Sequence, residues 1–183
     1  MAYRNKSIAN TKTGMGLKFL QTSKDTDGLI LEMEALYQPQ SSEPPPHYHP
    51  NQEEYFTIIS GEMNLRMNGQ LTTLKGGDIL YVPKNKVHSM WNASSEIAIV
   101  NWRVMPALGS EYFFETFTGL ANDGKTNQKG VPNILQLALL VNRFSKEIRL
   151  AKPPFWAQQI VFGLLAPFAL LFGYKRDYKK YVD

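Results

Sequence analysis

The chain has no cysteine and only three histidines among its 183 residues. Without a thiol there is no disulfide, no thiolate nucleophile and no thiolate-held metal. Residues 1–7 show no positively charged start leading into an apolar run, so no secretory signal is expected and the cytoplasm is the expected compartment. No basic stripe interleaved with stacking aromatics appears on the candidate strands, which argues against nucleic acid as a partner. Internal repeats and low-complexity stretches are also missing. The longest apolar stretch, residues 160–174, falls short of the ~20 residues that cross a bilayer.

What remains is concentrated. All three histidines fall in two short segments, His47-Tyr48-His49-Pro50-Asn51-Gln52-Glu53-Glu54 and Gly77 to Asn92, the latter containing Pro83, Asn85 and His88. Three imidazoles with one carboxylate are the strongest transition-metal ligand set these residue types allow, and such a set leaves positions open for water or substrate. His47 and His49 are two apart, so an extended strand sends both rings from one face. Pro44-Pro45-Pro46 suits an extended entry to that strand. Pro50-Asn51-Gln52 then breaks it, and the β-branched and aromatic run from Glu53 to Ile59 ends in a turn at Ser60-Gly61. One of Glu53 and Glu54 can therefore point back at the histidines. His88 lies far along the chain and reaches the same centre only in a closed β architecture.

These two segments resemble the paired motifs of the cupin superfamily. His49, Glu54 and Gly61 fit the first motif, in which four residues separate His-x-His from Glu and six more separate Glu from Gly. Gly77, Pro83, His88 and Asn92 fit the second, with Asn85 where the family has Gly and Ser41 where its first motif opens on Gly. Asn is the next most tolerant residue of a positive φ. The match covers roughly residues 16–107. It implies a double-stranded β-helix, a jelly-roll barrel, and a divalent metal (Fe, Mn, Ni, Cu or Zn) held by His47, His49, Glu54 and His88, with Glu53 facing solvent. Tyr81, Met90 and Trp102 are candidates for lining the cavity beside that metal. Asn92 and Asp78 are expected to shape turns.

The rest of the chain sets the architecture. Strands are expected at Leu17–Leu20, Leu29–Tyr37, Glu54–Arg66, Gln70–Leu74, Ile79–Val82, Val87–Trp91 and Ile97–Val104. Turns are expected at Thr26-Asp27-Gly28 and at the hairpin signal Asn68-Gly69. After Pro106 the pattern becomes helical. Glu111–Leu120, Pro132–Leu150 and Phe155–Tyr174 read as three helices, the second with its apolar residues at helical spacing. The reading is thus a mainly β protein, with a barrel over residues 1–107 and a helical extension over 108–183. Residues 1–107 carry ten Lys/Arg and ten Asp/Glu, so the net charge of +4 belongs to the extension, whose basic residues close on Lys175, Arg176, Lys179 and Lys180.

The apolar third helix is expected to pack on the barrel or on a second copy in a homodimer. Membrane contact through residues 153–183 is the lesser alternative. For function, the resemblance implies a metal centre acting on a small organic oxyanion or enol, as an oxygenase, isomerase or lyase. A non-catalytic cupin that binds a small ligand, as a sensor or store, is the rival reading, since a fold alone fixes no reaction.

Overall fold

A computed structural model describes residues 2–182. Eleven strands form two antiparallel sheets. The first contains β1 (Ser7–Ala9), β2 (Gly16–Gln21), β3 (Leu31–Tyr37), β5 (Glu53–Ser60), β8 (Ile79–Val82) and β10 (Ala98–Met105), in the order β1-β2-β3-β10-β5-β8. The second contains β4 (His47–Tyr48), β6 (Glu62–Met67), β7 (Gln70–Lys75), β9 (His88–Trp91) and β11 (Arg149–Leu150), in the order β11-β4-β9-β6-β7. The expected jelly-roll layout is present, followed by three α-helices.

Alternation builds the core between the sheets. On β3, Leu31, Met33, Ala35 and Tyr37 are buried while Glu32 and Glu34 face out. On β5 the buried positions are Glu54, Phe56 and Ile58, so Glu54 shares its face with two core side chains. Phe19, Met33, Ile58, Met63, Val100 and Phe56 belong to one cluster inside the barrel. The hairpin β6–β7 turns on Asn68 and Gly69, both at positive φ (50° and 85°), the twist-compatible choice for a two-residue loop. Asn92 shapes its turn as expected: its Nδ2 donates to the carbonyls of Tyr37 and Glu96, and its Oδ1 accepts from Ser94. Asp78 Oδ2 likewise accepts from the Lys75 backbone N–H at 2.8 Å.

The extension is joined to the barrel. Helix α1 (Ser110–Asn122) places Phe114 edge-on to Trp102, with ring centroids 5.0 Å apart. Helix α2 (Ile134–Arg143) starts at Asn133, whose side chain accepts from the Gln136 N–H. The helix expected over Pro132–Leu150 is shorter in the structure. Phe144 ends it, and Arg149-Leu150 form β11, pairing antiparallel with Tyr48-His47 on β4. The apolar spacing of Phe144 and Ile148 has a different cause, since both pack toward α1 as part of one cluster with Leu120 and Leu140. Helix α3 (Phe155–Leu171) lies on α2 through Phe162, Ala166 and Ala169. The chain then returns to set Tyr178 against Leu120, Leu140 and Phe144, where its hydroxyl donates to Gln136 Oε1. Among the described residues no helix is long and apolar enough to cross a membrane.

Candidate metal centre

Each histidine reaches the centre for a local reason. Strands β4 and β9 pair so that His47 stands directly opposite His88. His49 follows two residues after His47, and its carbonyl accepts from the Asn85 N–H at 2.9 Å. Asn85 sits at φ 62°, the left-handed conformation expected where the family has Gly. Glu54 enters from the other sheet, on β5, opposite Val104 of β10. The ring centroids are 4.6 Å apart for His47 and His88, 5.2 Å for His47 and His49, and 5.4 Å for His49 and His88. One ligand atom from each imidazole lies within 4.8 Å of the others. Glu54 Oε2 is 3.1 Å from His49 Nε2 and 3.0 Å from His88 Nε2.

Hydrogen bonds fix which nitrogen faces inward. His47 Nδ1 lies 3.0 Å from the Pro45 carbonyl, His49 Nδ1 2.8 Å from that of Glu147, and His88 Nδ1 3.0 Å from that of Lys86. A carbonyl only accepts, so each Nδ1 carries a proton, and Nε2 is the nitrogen each ring turns inward. Trp102 Nε1 donates to Glu54 Oε1 at 3.1 Å, which leaves Oε2 as the inward oxygen. Three Nε2 atoms and a carboxylate oxygen thus converge. His49 Nε2 and Glu54 Oε2 are both buried and 3.1 Å apart, so with the His49 ring neutral their lone pairs face each other with no proton between them. Buried polar atoms left this way are costly, and a cation between them removes the cost. The donor set fits a divalent transition metal.

The electrostatics agree. Burial, and then the neighbouring His88 and His49, hold the His47 imidazole down at about 3, so it stays neutral and able to ligate. Burial works against a charged Glu54, but His49 and His88 beside it hold its carboxyl well below the usual carboxylate range. For His49 burial also opposes the charged form, and the Glu54 carboxylate outweighs it and raises the imidazole. A proton is therefore the natural competitor of a metal at this nitrogen.

The four residues open onto a cavity of about 610 Å³. Of the three side chains expected to line it, Met90 and Trp102 do. Tyr81 does not: it is 46% exposed and stacks on Tyr55 with ring centroids 4.9 Å apart. On β8 it is Leu80 and Val82 that turn inward, and the apolar run Ile79–Val82 carries no alternation to reveal this. Glu53 is half-buried and accepts a 3.4 Å bond from the Tyr55 hydroxyl, away from the histidines.

Several cavity residues have no signature in the sequence. Burial first, and then the charge of Glu54, push the Tyr37 phenol up, so it remains a proton donor. Gln52 is fixed by Nε2–H donation to the Pro106 carbonyl (2.8 Å) and to Ser110 Oγ (2.8 Å). Glu147 Oε1 accepts from the Gly109 N–H at 3.1 Å. The far wall consists of Phe113, Phe117, Leu137, Leu140, Val141 and Phe144, all supplied by the helical extension. The extension also supplies the Glu147 carbonyl that orients His49, a backbone atom and hence invisible to residue-type reasoning.

Comparison with known proteins agrees with this geometry. The cupin domain family, Cupin_2, matches residues 33–103. A Hypocrea virens protein named "Probable oxidoreductase virH" is 30% identical over 154 residues, covering 76% of this chain and 68% of that protein. An oxidoreductase of Arthrobotrys oligospora is 26% identical over 143 residues, covering 72% of this chain and 50% of its own length. Among solved structures, a predicted oxalate decarboxylase of Thermotoga maritima superposes with a TM-score of 0.50 at 19% identity, covering 58% of this chain and 99% of that one. The family match and the two-sheet barrel agree, and this chain belongs to the cupin superfamily.

Proposed function

We propose that the protein is a metal-dependent enzyme that oxidises a small organic molecule with a largely apolar body and one enol, enolate or carbonyl oxygen. One observation carries this reading: three Nε2 atoms and Glu54 Oε2 converge where they open onto an apolar cavity of about 610 Å³. That volume suits a ligand of drug-like size, most of whose surface would be enclosed. His47, His49, His88 and Glu54 would hold the metal, which when bound supplies Lewis-acid polarisation of an oxygen and, for Fe or Mn, a binding position for dioxygen.

The protein's own groups do the rest. Trp102 keeps the Glu54 carboxylate turned inward through Oε1. Phe113, Phe117, Phe144 and Leu140 exclude water and orient an aromatic or alicyclic body. Tyr37, protonated and lining the same cavity, is placed to donate a hydrogen bond to a polar substituent. Oxidation is favoured over isomerisation because the two relatives reported above both carry the name oxidoreductase.

The test is dioxygen uptake by Fe(II)-loaded protein offered a panel of apolar enols, such as flavonols and cyclic β-diketones. The expected result is uptake that needs both the metal and an enol and that falls at least about 100-fold in Glu54→Ala. Saturable enol binding with no uptake, and no chemical change with Mn or Ni either, would favour the ligand-binding alternative instead.

A further inference from the structure

Helix α3 leaves one side uncovered. Of its buried positions, Phe162, Ala166 and Ala169 face α2, and Gln158 donates to the Leu150 carbonyl at 2.9 Å. The opposite arc consists of Trp156, Ile160, Val161, Leu164, Phe168 and Leu171, between 48% and 81% exposed, and Phe172 just beyond the helix is 70% exposed. Spacings of four and three from Trp156 through Ile160, Leu164, Phe168 and Leu171 make this one continuous stripe. Gln159 is the exposed polar side chain of the helix, and it is turned aside to donate to Asn142 Oδ1 at 3.1 Å. Monomeric proteins rarely keep such a patch in water.

The charges say what covers it. Residues 153–176 contain no acidic residue. Lys152 lies just before the helix, and Lys175, Arg176 and Lys179 lie just after it. All four are exposed and make no ion pair with another described residue. The nearby acids Asp177 and Asp123 are engaged, by Arg143 at 2.8 Å and by Lys180 respectively. A second copy is the wrong partner for this surface. Two α3 helices packed side by side, in either direction, bring basic ends together, and the one adjacent carboxylate, Asp177, is already held by Arg143. At ~1.5 Å per residue the helix is about 26 Å long, short of the ~30 Å hydrocarbon core, and Pro167 interrupts its backbone bonding.

We propose that α3 is an in-plane docking helix for an anionic lipid surface, with its apolar stripe among the acyl chains and the basic residues at its two ends against the headgroups. Trp156 at one end and Phe172 at the other mark the interfacial level. The consequence for the site is short-range. Phe162 and Leu165 of α3 pack on Leu137, Val141 and Leu150, and those three residues line the cavity. The docked face is thus one layer of side chains away from the ligand chamber.

The experiment is co-sedimentation of the full chain with phosphatidylcholine vesicles, with or without about 30% phosphatidylserine. Binding should be at least about tenfold tighter to the anionic vesicles and should weaken as salt is raised. Leu164→Gln, Phe168→Gln and Leu171→Gln together should weaken it about tenfold for each side chain. Lys175→Gln, Arg176→Gln and Lys179→Gln together should weaken only the anionic component, about fivefold for each cation. None of the six side chains is buried, so the thermal midpoint of either variant should match the parent and serves as the control for folding. Equal affinity for both vesicle types, or no binding to either, overturns the proposal. So does a stable dimer in light scattering that the apolar triple variant dissolves while vesicles are ignored.

Discussion

Replacing His47 and His49 together with alanine removes essentially all bound divalent metal, lowering affinity by at least about 10⁴-fold. The expectation follows from where these nitrogens point. Both rings are held with Nδ1 on backbone carbonyls, so both present Nε2 and both belong to the cluster within 4.8 Å. Taking two of three imidazoles leaves His88 and Glu54, too few donors for a tight site of a borderline metal. Both residues are only half-buried and neither belongs to the barrel core cluster, so the variant should fold. Circular dichroism checks that, and mass-spectrometric metal analysis after equal loading reads the effect. Equal metal content in parent and variant would show that the histidines are not the ligands.

Gly61→Ala should lower stability by about 3 kcal/mol or more, a fall of roughly 6–12 °C in Tm for a chain of this size. Gly61 turns β5 into β6 at φ 78°, where a side chain is already strained. A Cβ there would also stand 2.5 Å from the Ile97 carbonyl oxygen and 2.8 Å from Ala98 Cα, both of them backbone atoms. Neither can rotate away. Gly124→Ala provides the comparison, because that residue has a similar φ of 71° with nothing within 4 Å of the added carbon. It should cost only the conformational strain, about 1–2 kcal/mol. Denaturant unfolding of both variants checks the difference. If position 61 costs no more than position 124, the close approach at this turn does not constrain the fold.

These two effects involve parts of the chain that the sequence exposes clearly. A glycine or asparagine at positive φ has a steric reason, so Gly61, Asn68-Gly69 and Asn85 are legible as turns. His47 and His49 are legible because a strand repeats every two residues. Glu54 is legible only through its spacing in the cupin-like motif, since the residues alone leave Glu53 equally open, and the burial of Glu54 beside Phe56 and Ile58 appears only in the fold. Legibility fails where tertiary packing decides. Phe144 and Ile148 keep a helical period although the helix has ended, because the face they satisfy belongs to α1 and Tyr178. Arg149-Leu150 become a strand only because β4 offers an unpaired edge, which no local propensity records. Tyr81 faces out and Leu80 in, and an unbroken apolar run cannot distinguish them. The carbonyls that set all three imidazole tautomers are backbone atoms, visible only once the chain is folded.

Four side chains holding one ion underlie the proposed chemistry. X-ray absorption on Zn-loaded protein at the metal edge tests this most directly. Three imidazoles and a carboxylate predict about one ion per chain, with nitrogen and oxygen scatterers near 2.0–2.2 Å and the outer-shell pattern of histidine rings. A shell of oxygens without imidazole scattering, or a protein that takes up no stoichiometric metal, would contradict it.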